Sequence, residues 1–327
     1  MKPGFTKYLK TFHYVSRNLI RREGVFPFYA SFKVTSRCPL KCPHCYLARE
    51  AQKPDLDTAA AKRIIESLGS MSILVLTFEG GEPFLRDDLE ELLHFSRRFP
   101  LFVSVVTSYP DISMKRYAHL SGIIDFLQIS IDEGHGNLFL FDRLDEIRSL
   151  WHTRLCIQTV VTADTLSRMD EKVTQARENG CRILFLPLSL IYPEFAGFSP
   201  ERSVFVRKVR MLKRTYPETV IAAPHFLRSY GRGAGCTSSS IVIDSDGSLF
   251  YPCHVLGTRP FNLLDGNLKE FLLSREASEL RERMNGCSVA CGWYQYFALS
   301  LRSVKDLPSD VLSALERINE KGIDRKD

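Results

Sequence analysis

Cys38-Pro39-Leu40-Lys41-Cys42-Pro43-His44-Cys45-Tyr46 gathers three thiols within one short loop, directly after the β-patterned run 28–35. Three thiolates from such a loop can hold three irons of a cubane cluster, whereas a closed structural metal site needs a fourth ligand. The missing ligand leaves an open coordination position, which is the mark of a catalytic metal centre. Half of a zinc site is the alternative, although zinc pairs usually come as C-x2-4-C knuckles with a matching pair nearby.

Working outward, Asp55 and Asp57 offer N-caps to a helix through Leu68, with Gly69 as its stop. Ile73–Phe78 is a short apolar run of the kind buried in a parallel sheet. Strand candidates follow at 101–107, 124–131, 154–161 and 182–188. Helical stretches separate them around 86–98, 113–120, 138–150 and 165–178, with Asp164 as a cap and Asn179-Gly180 as a stop. Six β/α units in succession predict an α/β fold, a partial (β/α)6 TIM-like barrel made by right-handed crossovers. Ligands gather at the C-terminal ends of strands in such folds, and the cysteine loop lies at one.

The second strand ends in Glu79-Gly80-Gly81-Glu82-Pro83. Paired glycines let backbone approach a ligand closely, and an exposed backbone edge presents carbonyls to an ammonium group. Alone, the stretch reads equally as a turn. In the fourth strand, alternation places Gln128, Ser130 and Asp132 on one face and Ile129 and Ile131 on the other. Glu133 and His135 follow in a loop, as acid–base candidates or as solvated loop residues. Cys156 and Cys181 fall in or beside core strands and read as small buried hydrophobes.

Composition shifts over 191–235, with Tyr192-Pro193, Ser199-Pro200, a basic helix around 201–214, and Tyr230-Gly-Arg-Gly-Ala-Gly235. The glycine run lacks the Lys-Ser/Thr of a phosphate loop, and the region reads as a linker. Beyond it come Cys236, Cys253, Cys287 and Cys291. Ser240–Asp244 and Ser248–Tyr251 flank Asp246-Gly247, a hairpin signal that brings Cys236 and Cys253 together at the hairpin ends. A helix from Leu268 to about Arg283, capped by Asn267, leads to Cys287-Ser-Val-Ala-Cys291. Four thiolates suit zinc or an iron–sulfur cluster, and ligand count does not choose between them.

The spacing C-x3-C-x2-C followed by an aromatic resembles the signature of the radical S-adenosylmethionine (radical SAM) enzymes. The resemblance implies a [4Fe-4S] cluster on Cys38, Cys42 and Cys45, SAM on its open iron, and Tyr46 near the adenine. Gly80-Gly81-Glu82-Pro83 resembles the family's GGEP motif, which implies a site for the SAM amino group; Glu79 stands where the family usually has Thr or Ser. Thr107-Ser108 only partly matches the family's Thr-Asn-Gly. Gln128-Ile-Ser130-Ile-Asp132 resembles the segment near the SAM ribose or the substrate. Ser130 is thereby a cofactor contact, and Asp132, Glu133 and His135 are the catalytic candidates. The second cysteine set, with Asp265-Gly-Asn-Leu-Lys-Glu-Phe-Leu-Leu-Ser274 before its closing pair, resembles the Twitch half of SPASM/Twitch extensions. That implies an auxiliary [4Fe-4S] cluster with all four positions filled.

The expected organisation is a basic amphipathic helix over 1–25, the barrel over 26–190, a linker with a helix over 191–235, a small hairpin-plus-helix iron–sulfur domain over 236–297, and a helical tail over 298–327. Hydrophobic content of 44% and charged content of 25% suit a soluble globular chain, and no run nears the ~18 apolar residues of a membrane span. No secretory signal is visible, so the expected location is cytoplasmic, where nine cysteines favour metal or redox chemistry over disulfides. Of the net charge of +6, most sits in residues 1–25, where Lys2, Lys7, Lys10, Arg17, Arg21 and Arg22 face only Glu23. The near-neutral remainder argues against a nucleic-acid surface. Phe5, Tyr8, Leu9, Phe12, Val15, Leu19 and Ile20 recur there at helical spacing. Such a helix either packs on the barrel or makes a peripheral membrane contact.

The function so implied is reductive cleavage of SAM, driven by a one-electron reductant such as flavodoxin or ferredoxin. The 5′-deoxyadenosyl radical would then abstract hydrogen from a small-molecule substrate, a lipid or natural product, with oxidation or dehydrogenation favoured. The alternatives are a peptide-modifying radical SAM maturase and a non-catalytic zinc or iron–sulfur protein. Peptide-modifying members commonly carry a leader-peptide recognition domain and a full set of SPASM cysteines.

Overall fold

Strands β1 (Tyr29–Thr35), β2 (Val75–Gly80), β3 (Phe102–Thr107), β4 (Phe126–Ser130), β5 (Arg154–Val161) and β6 (Arg182–Pro187) pair in parallel in chain order, and β7 (Val220–Ile221) adds to β6. The free edge of β1 takes β8 (Ser240–Ile243), also in parallel. Then β9 (Ser248–Phe250) and β10 (Phe261–Asn262) extend the sheet as antiparallel strands. The computed structural model describes residues 24–99, 101–108, 117–190, 193–232, 236–289 and 291–298, with 9, 10, 12–14, 16–18 and 20. Among these the sheet runs from β10 to β7 without closing.

Alternate strand positions supply one apolar core, while the intervening positions of β1, Ser31, Lys33 and Thr35, are also buried. Ala30, Phe32 and Val34 of β1, Leu76 and Phe78 of β2, and Leu127 and Ile129 of β4 are all at most 1% exposed and belong to one apolar core. Helix Thr58–Ser70 covers part of it with Ala61, Ile64, Ile65 and Leu68, spaced to share one helical face. Burial of each large aliphatic here contributes roughly 1.5–3 kcal/mol. Asp57 caps the helix by accepting from the Ala60 N–H at 2.7 Å. Gly69 does not stop it but sits in its last turn, because the Phe99 ring lies where a Cβ would be, with Cγ at 2.4 Å. The Met71 N–H bonds the Leu68 carbonyl and ends the helix.

In the stretch read as a linker, helix Arg202–Thr215 is followed by β7 and by helix Pro224–Arg232. A two-residue strand has no periodicity of its own to read, and β7 exists through its pairing with β6. The helix expected from Leu268 to about Arg283 is two helices, Leu268–Leu273 and Arg275–Asn285. Ser274 has extended backbone, and its hydroxyl accepts from the Ala277 N–H at 3.1 Å, capping the second helix.

The described residues between 9 and 20 are helical. Buried Asn18 fastens this segment to Phe26, donating to its carbonyl at 2.7 Å and accepting from its N–H at 2.9 Å. Phe12 and Ile20 are 74% and 81% exposed. The remainder of the helix expected over 1–25, most of the helical stretch expected around 113–120, and the tail expected after residue 298 lie outside the described residues. No helix of the described residues is long and apolar enough to cross a membrane.

Candidate active site at the strand ends

The loop carrying Cys38, Cys42 and Cys45 leaves the C-terminal end of β1 and is closed at its base. Lys53 N–H donates to the Ser36 hydroxyl at 2.7 Å, and that hydroxyl donates to the Lys53 carbonyl at 3.0 Å. Arg37 holds Asp55 at 2.6 Å. Within the loop the Cys45 N–H bonds the Cys42 carbonyl at 3.0 Å. All three cysteines are free thiols, and burial pushes Cys42 up to about 12, with Cys45, Cys38 and Asp132 pushing the same way. Thiols in one another's fields, partly buried and facing an acidic group, stay protonated on their own, and their thiolates need a cation as counter-charge. Metal binding deprotonates such thiols outright, so this donor set fits an iron–sulfur cluster.

Gly80 and Gly81 serve the same loop. Gly80 has φ +138°, and a Cβ on either glycine would lie 2.2 Å from the Thr35 carbonyl oxygen or 2.0 Å from that of Arg37. The Gly81 and Glu82 N–H groups bond those two carbonyls at 2.8 Å each. The close approach the glycines permit is thus, first, between the ends of β2 and β1. Glu82 is fully buried and accepts from the Thr107 hydroxyl through both oxygens at 2.9 Å, and from the Ser108 and Phe84 N–H groups at 3.2 Å. Pro83 opens the short 3₁₀ turn Pro83–Leu85.

At the end of β4, Ser130 is half-buried and its carbonyl accepts from the Asn137 amide at 2.8 Å. Gln128 donates to the Ser104 hydroxyl at 2.7 Å and contacts Gln158, so one face of β3, β4 and β5 is polar. Asp132 is fully buried and accepts from the His135 N–H at 3.0 Å, the His135 ring Nδ1 at 2.8 Å and the Val160 N–H at 3.1 Å. Burial alone would raise its carboxyl, but the His135 hydrogen bond, the His135 and His44 charges and the Val160 N–H hold it below its ordinary value. Ligand atoms of His44, Asp132 and His135 lie within 4.8 Å of one another. Gly134 makes this fit possible, since a Cβ there would lie 2.1 Å from His44 Nδ1. Glu133 turns to the neighbouring helix, pairing with Lys172 at 2.6 Å and Arg168 at 3.0 Å. Of the three acid–base candidates, Asp132 and His135 are therefore together at the cysteine loop, and Glu133 is committed to ion pairs beside them.

The second cysteine set also converges. Burial pushes Cys291 up to about 12, and Cys253, Cys236 and Cys287 push the same way. The hairpin forms as its sequence implies, with Val242 opposite Phe250 and Gly247 at φ +84°. The Leu190 N–H, just past β6, bonds the Cys291 carbonyl at 2.8 Å. The two cysteine regions meet at Tyr46, whose ring stands 4.7 Å from that of His254. Buried Tyr46 also receives Lys33 Nζ over its face at 4.2 Å.

Several residues of this region carry no signal in a motif scan. His44 lies inside the cysteine stretch but is not a thiol, and its pairing with His135 is purely tertiary. Lys33 and His254 are likewise brought together by the sheet; the period-two alternation Tyr29, Ser31, Lys33, Thr35 was the available hint that β1 has a polar inner face.

Residues 32–149 match the family model described as the radical SAM superfamily. A PqqA peptide cyclase of Xanthomonas oryzae pv. oryzae is 38% identical over 84 residues, which are 25% of this chain and 23% of that protein. The chain thus spans about a quarter of the length of the curated relatives it matches. Among solved structures, SuiB of Streptococcus suis bound to S-adenosylmethionine has a TM-score of 0.64 at 15% identity, over 82% of this chain and 71% of that one. Native anSMEcpe with AdoMet and the Cp18Cys peptide has a TM-score of 0.64 at 18% identity, over 90% of this chain and 99% of that one. At those identities the likeness is one of fold. The expectation of a small-molecule substrate, with dehydrogenation favoured, is overturned here: the relative is named a peptide cyclase, and the anSMEcpe structure holds a peptide.

Proposed function

We propose that this chain, a member of the radical SAM superfamily, modifies a peptide by hydrogen abstraction. The observation that carries the reading is the 38% identity to a PqqA peptide cyclase, joined to a strand-end site in which three free thiols adjoin a rigid Gly-Gly-Glu-Pro turn. A [4Fe-4S] cluster with SAM on its open iron supplies, when bound and reduced, a 5′-deoxyadenosyl radical.

The chain's own residues do the rest. Cys38, Cys42 and Cys45 hold the cluster, and the Ser36–Lys53 closure keeps their loop in one shape. Gly80, Gly81 and Pro83 offer backbone to the SAM amino group, while Glu82, anchored on Thr107, fixes that turn. Tyr46 would border the adenine and Ser130 the ribose once SAM is bound. Asp132 orients His135 by accepting from its ring Nδ1, with His44 close beside them, and His135 is our candidate to move a proton at its other ring nitrogen. Glu133 neutralises Lys172 and Arg168 beside them. Positioning of this kind is what converts binding into rate.

Cys236, Cys253, Cys287 and Cys291, within the proposed domain 236–297, would hold an auxiliary [4Fe-4S] cluster able to exchange one electron. A flavodoxin or ferredoxin delivers the electron in the cytoplasm. Capture of a short peptide encoded beside its gene by the reconstituted protein tests the reading; retention of no peptide sinks it.

A further inference from the structure

Lys33, Tyr46 and His254 come from β1, from the residue after Cys45, and from the segment after β9, yet they meet in one place. Lys33 is 3% exposed, and its Nζ has no protein partner within hydrogen-bond reach. It lies 4.2 Å from the centroid of the Tyr46 ring and 4.6 Å from that of Phe250. His254 packs on the same two rings at 4.7 Å and 4.1 Å and stacks on Trp293 at 4.7 Å. Among the described residues, neither ring nitrogen of His254 has a hydrogen-bond partner, and neither does the Tyr46 hydroxyl.

Each buried polar group left unpaired costs roughly 1–3 kcal/mol. The aromatic faces relieve part of the ammonium's cost but use none of its N–H bonds. Donors are in excess: an ammonium offers three and accepts none, and a phenol and a neutral imidazole add one each. The register partner of Lys33 on β2 is Glu79, a carboxylate whose charge acts on Lys33 and which also engages the Ser31 hydroxyl, although it makes no direct ion pair with Lys33 among the described residues. Asp244, the other nearby carboxylate, is taken by Lys53 at 2.8 Å and Arg259 at 3.1 Å. A buried, donor-rich cluster walled by aromatic rings calls for a planar acceptor with several lone pairs, and a carboxylate has about four acceptor sites.

We propose that Lys33, Tyr46 and His254 form a specificity pocket for the side-chain carboxylate of an aspartate or glutamate in the peptide substrate. The proposal rests on the peptide reading above. It gives the substrate a fixed point one residue from Cys45, so the bound acidic residue sets which part of the peptide meets the SAM site.

The test uses the full chain, reconstituted with iron and sulfide and saturated with SAM, presented with a synthetic library of random octapeptides whose retained members are sequenced. Retained peptides are expected to be enriched in Asp or Glu at one position. Lys33→Met should cut that enrichment by about ten- to a hundredfold, as loss of a charge-assisted hydrogen bond implies. Tyr46→Phe, which keeps the ring, should cut it by a smaller factor, and Lys33→Arg should restore part of it. Peptides retained without acidic preference, or with a preference untouched by Lys33→Met and Tyr46→Phe, overturn the pocket while leaving the peptide reading intact. Retention of no peptide by the wild-type protein overturns the peptide reading and the pocket with it. The methionyl carboxylate of SAM has the same chemistry as the proposed ligand. SAM affinity unchanged in Lys33→Met supports the peptide carboxylate, and SAM affinity lost in parallel with the enrichment overturns it.

Discussion

Both carboxylate oxygens of Glu82 accept from the single hydroxyl of Thr107 at 2.9 Å, joining the turn after β2 to the end of β3. Glu82 is fully buried, so the donor set of Thr107, Ser108 and Phe84 decides whether the Gly-Gly-Glu-Pro turn keeps its shape. Thr107→Val preserves the volume and deletes the donor. Chemical denaturation should show a loss of about 1–3 kcal/mol, with weaker SAM binding, because a charged acceptor is then under-satisfied in the interior.

The two cysteine sets should be separable by metal analysis. Cys42→Ala should remove about four irons and four sulfides per chain and abolish SAM cleavage. Cys253→Ala should remove a comparable amount while 5′-deoxyadenosine is still formed. Zinc recovered in the second site, in place of iron and sulfide, would reassign that site.

Asp132 gives the fold a pH dependence of defined sign. Its carboxyl is held below its ordinary value, so its contribution is present above the unfolded value of about 3.9 and is lost as pH falls through the lower folded value. The stability gap between wild type and Asp132→Asn should therefore shrink as pH falls below about 4. Denaturation curves over that range measure it.

Lys53 connects the base of the cysteine loop to the β8–β9 hairpin through Asp244 at 2.8 Å and Asp246 at 2.7 Å. Against burial, which would raise it, the hydrogen bonds from Lys53 and Ser248 lower Asp246 to about 2. The Asp246 end is well exposed, but Asp244 is buried and keeps only the Arg259 ion pair at 3.1 Å among the described residues when Lys53 is removed, so Lys53→Met should cost about 1–3 kcal/mol in overall stability. Hydrogen exchange should report the change locally, with faster exchange over 38–53 and 244–248.

The parts of this molecule that are regular or covalently close were readable from sequence. The β/α alternation, the Asp57 cap, the Asp246-Gly247 hairpin and the cysteine spacings all follow from local rules. What was not readable depends on partners distant in the chain. Gly69 reads as a helix stop, and only Phe99 packed over it explains why it lies within the helix. Gly134 carries no signal in the sequence, and only the fold shows His44 occupying the space of its Cβ. Asp132 reads as a catalytic candidate, and only the fold shows that three donors from His135 and Val160 already engage it. The substrate class was misread because the four thiols after residue 235 were compared with the larger cysteine set of peptide-modifying members, and thiol number says nothing of what the barrel mouth admits.

Hydrogen transfer from a peptide tests the central claim most directly. The reconstituted protein is incubated anaerobically with SAM, a strong reductant and fully deuterated short peptides encoded beside its gene, and the 5′-deoxyadenosine is weighed by mass spectrometry. Deuterium in the 5′-deoxyadenosine, with a matching change in the mass of the peptide, is the predicted result. 5′-Deoxyadenosine formed without deuterium from any of these peptides, while a deuterated small molecule does transfer its label, would contradict it.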